Sequence, residues 1–180
     1  MATALLYKFQ SLFPLSWTNA QGHFFTIRPI SEGDLDDLKR FAEALSYTTK
    51  YLRFGHGNFQ PDINTLKSVC CPDTSLCTHL LITTTEAENQ KIVASGRYVV
   101  QGNGINAEFA LEVLDLYQHH GLGHHLLEFL ELDAKKRGIK KMHGQILATN
   151  QNMLNFVMDC GYTIHYHPEE EYLKLAIKTL

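Results

Sequence analysis

The chain has 180 residues, 44% hydrophobic and 19% charged, with 16 Lys and Arg against 19 Asp and Glu for a formal charge of −3. This is globular composition at the length of one domain, which excludes disorder and collagen-like structure; a chain this long buries about 70% of its unfolded surface and needs neither metal nor disulfide to hold a core. The slightly acidic balance provides no global field for a polyanion, so nucleic acid is not expected as a partner. Apolar runs such as Ile92 to Ala94 fall far short of the roughly 20 residues of a membrane span. Tyr7-Lys8 follows Met1 to Leu6 directly, so no secretory leader is expected either. Cys70 and Cys71 are adjacent, and with Cys77 and Cys160 they form neither a disulfide framework nor the paired spacing of a zinc site; a reducing cytoplasm is the expected compartment.

In chain order, Phe24 to Pro29 reads as a strand, and Ser31 to Asp34 supply capping residues for a helix whose apolar stripe is Leu35, Leu38, Phe41, Ala42 and Leu45. Tyr51 to Phe54 leads into a loop or short helices through Cys71-Pro72. His79 to Thr84, Lys91 to Gln101 and Ala107 to Val113 predict an antiparallel meander, with turns at Glu86 to Asn89 and Gly102 to Gly104. Gly121 to Arg137 is the main helix and stops at Gly138. Lys141 to Ala148 is a strand, Asn150 to Cys160 a helix, and Tyr162 to His165 and Tyr172 to Ile177 are final strands. This mixed order predicts an α+β fold.

Gln118-His119-His120-Gly121-Leu122-Gly123 stands between a strand and the main helix. Glycines there let the backbone approach a ligand closely, and unpaired amides at a helix start offer donors to an anion such as a diphosphate. A plain turn and helix start fits the same residues, since the three-glycine dinucleotide spacing and the Gly-Lys-Ser/Thr ending of a P-loop are both missing. His119, His120, His124 and His125 flank the glycines, but no Cys or Glu completes a ligand spacing for zinc or nickel, and no metal is expected. In the preceding strand, Glu108 shares a face with Ala110 and Glu112 until a bulge intervenes, which makes both glutamates candidates for base chemistry, Glu112 being the more solvated.

The order of elements around Gln118-x-x-Gly121-x-Gly123 resembles the GNAT superfamily of N-acetyltransferases, whose acyl-CoA motif is Gln/Arg-x-x-Gly-x-Gly/Ala. Four further segments are similar to the acetyltransferase domain of bacterial protein lysine acetyltransferases of the Pat type: Thr26-Ile27-Arg28-Pro29-Ile30, Tyr51-Leu52-Arg53-Phe54, Ala107-Glu108-Phe109-Ala110, and Ala148-Thr149-Asn150-Gln151-Asn152-Met153-Leu154. Together they cover roughly Trp17 to Ile177. The resemblance implies an N-acetyltransferase domain over residues 23–180, after an N-terminal segment, 1–22. Its fold would be a mixed, mostly antiparallel central sheet with helices on both faces, its fourth and fifth strands, counted from Phe24, splayed apart.

The resemblance further implies acetyl-CoA as co-substrate, its pyrophosphate cradled by the amides of Gln118, His119, His120, Gly121, Leu122, Gly123 and His124, with the helix dipole adding favourable charge. Leu111 and Val113 would meet pantetheine by backbone, and opened strand amides would form the oxyanion site. Asn150 matches the family's CoA-contacting asparagine, while its position equally predicts a helix cap. Glu108 matches the family's base, acting directly or through water. His120 stands where family members commonly carry Arg or Lys, so the pyrophosphate would meet a titratable imidazole. Val157 stands where many members have a tyrosine acid, so none is carried over. Tyr51, Arg53 and Phe54 fall where early helices wall the acceptor groove, though a packed helix end explains Tyr and Phe equally. Pat-type proteins often join this domain to a regulatory or synthetase-like region, for which 180 residues leave no room, so acceptor identity is not inherited: protein lysines and small-molecule amines both remain open, as does oligomeric state. The competing function class is a non-catalytic acyl-CoA-binding or interaction module.

Overall fold

A computed structural model describes residues 13–70, 73–86, 89–102 and 104–180. Cys71 and Pro72, Ala87 and Glu88 of the turn expected after His79 to Thr84, and Asn103 of the turn expected after Lys91 to Gln101 lie outside the described residues, as do 1–12. Eight strands form one sheet: β1 Leu15–Thr18, β2 Phe24–Pro29, β3 Cys77–Glu86, β4 Asn89–Gln101, β5 Asn106–Val113, β6 Lys141–Leu147, β7 Thr163–Tyr166 and β8 Leu173–Thr179. Their order is β1-β2-β3-β4-β5-β6-β8-β7, and every neighbouring pair is antiparallel except β5 with β6. Among the described residues five α-helices accompany it: α1 Leu35–Ala44, α2 Tyr47–Phe54, α3 Ile63–Cys70, α4 Leu122–Lys136 and α5 Gln151–Asp159. None of the described helices is long and apolar enough to cross a membrane.

The helices settle on both faces because strand alternation gives the sheet two buried sides. On one side Thr78 of β3 and Tyr98 of β4 donate to Asp133 of α4 at 2.6 and 2.5 Å, and Arg137 pairs with the same carboxylate at 2.8 Å. The α4 stripe of Leu122, Leu126, Leu127, Leu130 and Ala134 is buried there. Leu126 lies so close to β4 that a Cβ on Gly96 would stand 3.2 Å from it. Residues of opposite parity, His79 and Ser95, join on the other side at 2.8 Å beneath α3. Burial there pushes the His79 imidazole down to about 4, since charging it would strand a cation away from water.

Two features depart from the sequence expectations. β1 adds an edge strand before Phe24. It has four residues, of which only Trp17 is half-buried, against Phe25 and His125, so it carries no alternation to read. Consequently the strands counted as fourth and fifth are β5 and β6. The expected bulge in β5 is also missing: its register with β4 runs unbroken from Gln101↔Asn106 to Ala94↔Val113, and the irregularity in this part of the sheet lies instead between Ile82 and Thr83 of β3.

Candidate active site

β5 and β6 pair only through Asn106↔Lys141, Ala107↔Met142 and Glu108↔His143. Beyond Glu108, β5 stays on β4 while β6 stays on β8, so the two central strands diverge. Phe109 and Gly144 face each other where the divergence begins; a Cβ on Gly144 would lie 2.6 Å from the Phe109 ring, so only glycine admits that ring. The divergence opens a groove of about 1040 Å³ reaching from Glu108 to Asn150 and Phe156.

Main-chain polar groups line it. The Leu114 N–H donates to the Val93 carbonyl of β4 at 2.9 Å. By strand alternation the N–H and C=O groups of Leu111 and Val113 point the opposite way, into the gap that β6 has left. At its far end a short 3-10 turn, Asp115–Tyr117, delivers the chain to the glycines. Gln118 braces this turn, its side-chain amide donating to the Val113 carbonyl at 3.3 Å. Gly121 takes φ +80°, a left-handed conformation open to glycine at little cost, and a Cβ there would meet nothing within 4 Å. No side chain caps α4, and its first helical hydrogen bond is donated by His125 to the Gly121 carbonyl at 3.2 Å. The amides of Leu122, Gly123 and His124 therefore precede the helical ladder and are open to an anion, with the positive end of the helix dipole behind them.

The two glutamates are held differently. Glu112 is not the solvated one: its side chain is 11% exposed and takes the Arg53 Nε of α2 at 2.5 Å. The sequence could not show this, because the partners are 59 residues apart. Glu108 is 36% exposed at the mouth of the divergence, and its Oε2 accepts from the Gln101 side-chain amide at 2.8 Å. Among the described residues no hydrogen bond engages its Oε1, which leaves that oxygen free to accept a proton.

Of the residues expected in the site, Glu108, Leu111, Val113, Gln118, His119, Gly121, Leu122, Gly123, His124 and Asn150 all line the groove. The His120 side chain does not. Asn19 Oδ1 accepts from the Gln21 and His23 amides at 3.1 and 2.9 Å, which turns Asn19 Nδ2 to donate to His120 Nδ1 at 3.0 Å. The imidazole is thereby tied to the turn between β1 and β2. Asn150 caps α5, its Oδ1 accepting from the Met153 amide at 3.1 Å, which leaves its Nδ2 for a ligand. Arg53 and Phe54 line the groove and Tyr51 does not. Val157 is fully buried core. Among the described residues, no group of three or more His, Cys, Asp or Glu is placed to share a metal.

Residues not anticipated include Asp115, which receives the Ser46 amide and hydroxyl and the Thr49 hydroxyl at 2.8 to 3.2 Å, fixing the start of α2 to the strand end. Burial raises the Asp115 carboxyl, but the bonds from Ser46 and Thr49 outweigh that and hold it below the usual carboxylate range. Phe156 of α5 forms the opposite wall, its ring 3.3 Å from where a Cβ on Gly123 would stand.

The sequence matches the acetyltransferase (GNAT) family over residues 58–162. It is 28% identical over 133 residues to the acetyltransferase Pat of Mycolicibacterium smegmatis, which covers 73% of this chain and 39% of that protein. The chain thus spans about two fifths of the length of the curated relative it matches. Among solved structures, the GNAT domain of S. lividans PAT superposes with a TM-score of 0.83 at 25% identity, over 93% of this chain and 97% of that one. The PaiA N-acetyltransferase from Thermoplasma acidophilum, solved in complex with coenzyme A, shares the fold with a TM-score of 0.69 at 18% identity, over 87% of this chain and 99% of that one. The family match takes in more than half of the chain, including the diverging strands, the glycine turn and the helices α4 and α5, and the chain belongs to the GNAT family of acetyltransferases.

Proposed function

We propose that this chain transfers an acetyl group from acetyl-CoA to a primary amine by direct attack, with Glu108 as general base. The observation that carries the reading is the divergence of β5 from β6 immediately after Glu108, which puts a carboxylate with a free oxygen at the mouth of a groove into which β5 turns main-chain groups that β6 no longer bonds. The groups present fit an acyl-CoA. The uncapped start of α4 and the empty Cβ position of Gly121 suit a diphosphate held by amides of the turn from Gln118 to His124. The backbone of Leu111 and Val113 suits the amides of pantetheine, with Asn150 Nδ2 as a further donor. When bound, the donor supplies a thioester whose carbonyl is open to attack.

An amine must be neutral to attack. For a lysine of pKa about 10.4 at a pH near 7.4, deprotonation costs about 4 kcal/mol, enough to make a positioned base worthwhile. Glu108 Oε1 takes that proton. The charged lining of the groove consists of Glu108, Glu112, Asp115 and Asp159 against Arg53, a balance that favours a cationic acceptor, a protein lysine or a small-molecule amine. Negative charge forming on the thioester oxygen is met by β5 main-chain amides, which are already oriented and need no reorganisation. Attack is direct: among the described residues no cysteine lines the groove, Cys70, Cys77 and Cys160 all lying outside it.

The experiment is acetyl-CoA turnover, read as free thiol released, over a panel of amines comprising spermidine, amino acid amides, aminoglycosides and poly-L-lysine. The reading expects thiol release that depends on at least one of these. Tight acetyl-CoA binding with no transfer to any of them would instead favour the non-catalytic acyl-CoA module.

A further inference from the structure

Glu108 has a neighbour whose place in the groove chemistry the family match does not assign. Glu108↔His143 is the last paired position before β5 and β6 part, so the two side chains stand side by side on one face of the sheet. His143 Nε2 lies 3.9 Å from Glu108 Oε2, the oxygen that also accepts from Gln101. That separation closes to a hydrogen bond with a small side-chain rotation or through one water. Glu108 lines the groove and His143 does not, while the His143 side chain keeps 21% of its surface exposed. The carboxylate thus stands between the groove and a partly exposed imidazole.

We infer that His143 carries away the proton that Glu108 removes from the acceptor amine. This rests on Glu108 being the base. Acetyl-CoA and acceptor seated in the groove would cover the side of Glu108 that lines it, and His143, which does not line the groove, would offer the proton a way out. Gln101 fixes Oε2 beside the imidazole and so turns Oε1 towards the amine. The groups facing His143 are Glu108 from β5, Lys141 and Gln145 two positions to either side on the same face of β6, and apolar Ile177 opposite on β8; beyond Ile177 comes Thr163 of β7, whose hydroxyl is bonded to His165 at 2.9 Å.

The protons balance. The ammonium gives one proton to Glu108, which passes it to His143 Nε2, and His143 releases a proton to water from Nδ1. The neutral amine then forms the N–C bond, the C–S bond breaks, and a second N–H proton ends on the departing sulfur as the CoA thiol. One proton per turnover leaves the protein; His143 is left as the Nε2–H tautomer and regains its starting Nδ1–H tautomer by exchanging protons with water at its exposed edge before the next turnover.

The test uses the full chain with acetyl-CoA as donor and poly-L-lysine as the amine, comparing wild type, His143→Ala, His143→Gln and Glu108→Gln. Removing a proton carrier should lower kcat by about tenfold or more, in the lower range of acid–base effects, with acetyl-CoA affinity by calorimetry unchanged, which also establishes that the variants fold. Added imidazole should restore His143→Ala in proportion to its concentration, while His143→Gln, which cannot carry a proton, stays slow. Wild-type kcat in His143→Ala, or a loss that glutamine repairs and imidazole does not, overturns the relay while leaving Glu108 in place. Glu108→Gln as fast as wild type, or no turnover by wild type of poly-L-lysine or of any other amine of the panel, overturns the underlying reading instead; if another amine of the panel is the one turned over, the same four proteins are compared on it.

Discussion

Replacing Gly123 by valine and Gly121 by alanine separates two jobs within one turn. A Cβ on Gly123 would stand 3.3 Å from Phe156 Cζ and 3.9 Å from Leu111 Cδ1, between the two walls of the groove, and the valine methyls would fill the space beyond. The half-buried Phe156 ring has room to yield by a few tenths of an ångström, so the apo protein should keep most of its stability. A donor diphosphate displaced from one amide loses a charge-assisted hydrogen bond of about 1.5–3 kcal/mol, a ten- to hundredfold loss of acetyl-CoA affinity. At Gly121 the space is open but φ is +80°, and forcing alanine into that region costs about 1–2 kcal/mol. For a domain of this length that is a fall in Tm of about 2–8 °C. Calorimetry with acetyl-CoA and thermal melts of the apo proteins separate these effects. If both variants bound acetyl-CoA as wild type does, the donor would not lie on this turn.

Two other consequences concern histidines. His79 is neutral in the folded chain down to about 4, whereas the unfolded chain protonates it near 6.5, so the unfolded state binds the extra proton between these values and stability falls as pH drops through that window. The loss is on the order of 3 kcal/mol by about pH 4; His79→Gln, which retains a partner for Ser95, should flatten the denaturant-melt profile there, and an unaltered profile would argue against a buried neutral imidazole. His120→Ala should leave acetyl-CoA affinity within about twofold, since Asn19 holds that ring away from the groove; a tenfold loss would place the imidazole on the phosphates.

What the sequence revealed was local, and what it hid was non-local. β2 and α4 fall where periodicity and the stops at Gly121 and Gly138 put them, because burial of alternate residues and left-handed glycines write themselves into neighbouring positions. The helices α2 and α3, left open between loop and short helices, are eight residues each; α2 draws its fixed position from Ser46 and Thr49 bonding Asp115, 66 to 69 residues away. The same limit explains the glutamates. Alternation correctly set Glu108 and Glu112 on one face, but which of them is exposed depends on Arg53 arriving from another helix. The orientation of His120 is likewise fixed by a residue 101 positions earlier. Asn150 shows the converse: the cap read from its position is present, and the same residue lines the groove with its amide nitrogen not used by the cap.

The central claim is that Glu108 removes a proton from the attacking amine, and the most direct measurement is the turnover of Glu108→Gln beside its calorimetric affinity for acetyl-CoA. The glutamine keeps the shape and the bond to Gln101 while losing the basic oxygen. Donor affinity should persist and kcat should fall by ~10²–10⁴-fold near neutral pH, recovering in part as pH rises and the acceptor amine becomes neutral without help. Wild-type turnover near neutral pH, with donor affinity intact, would remove Glu108 from the reaction.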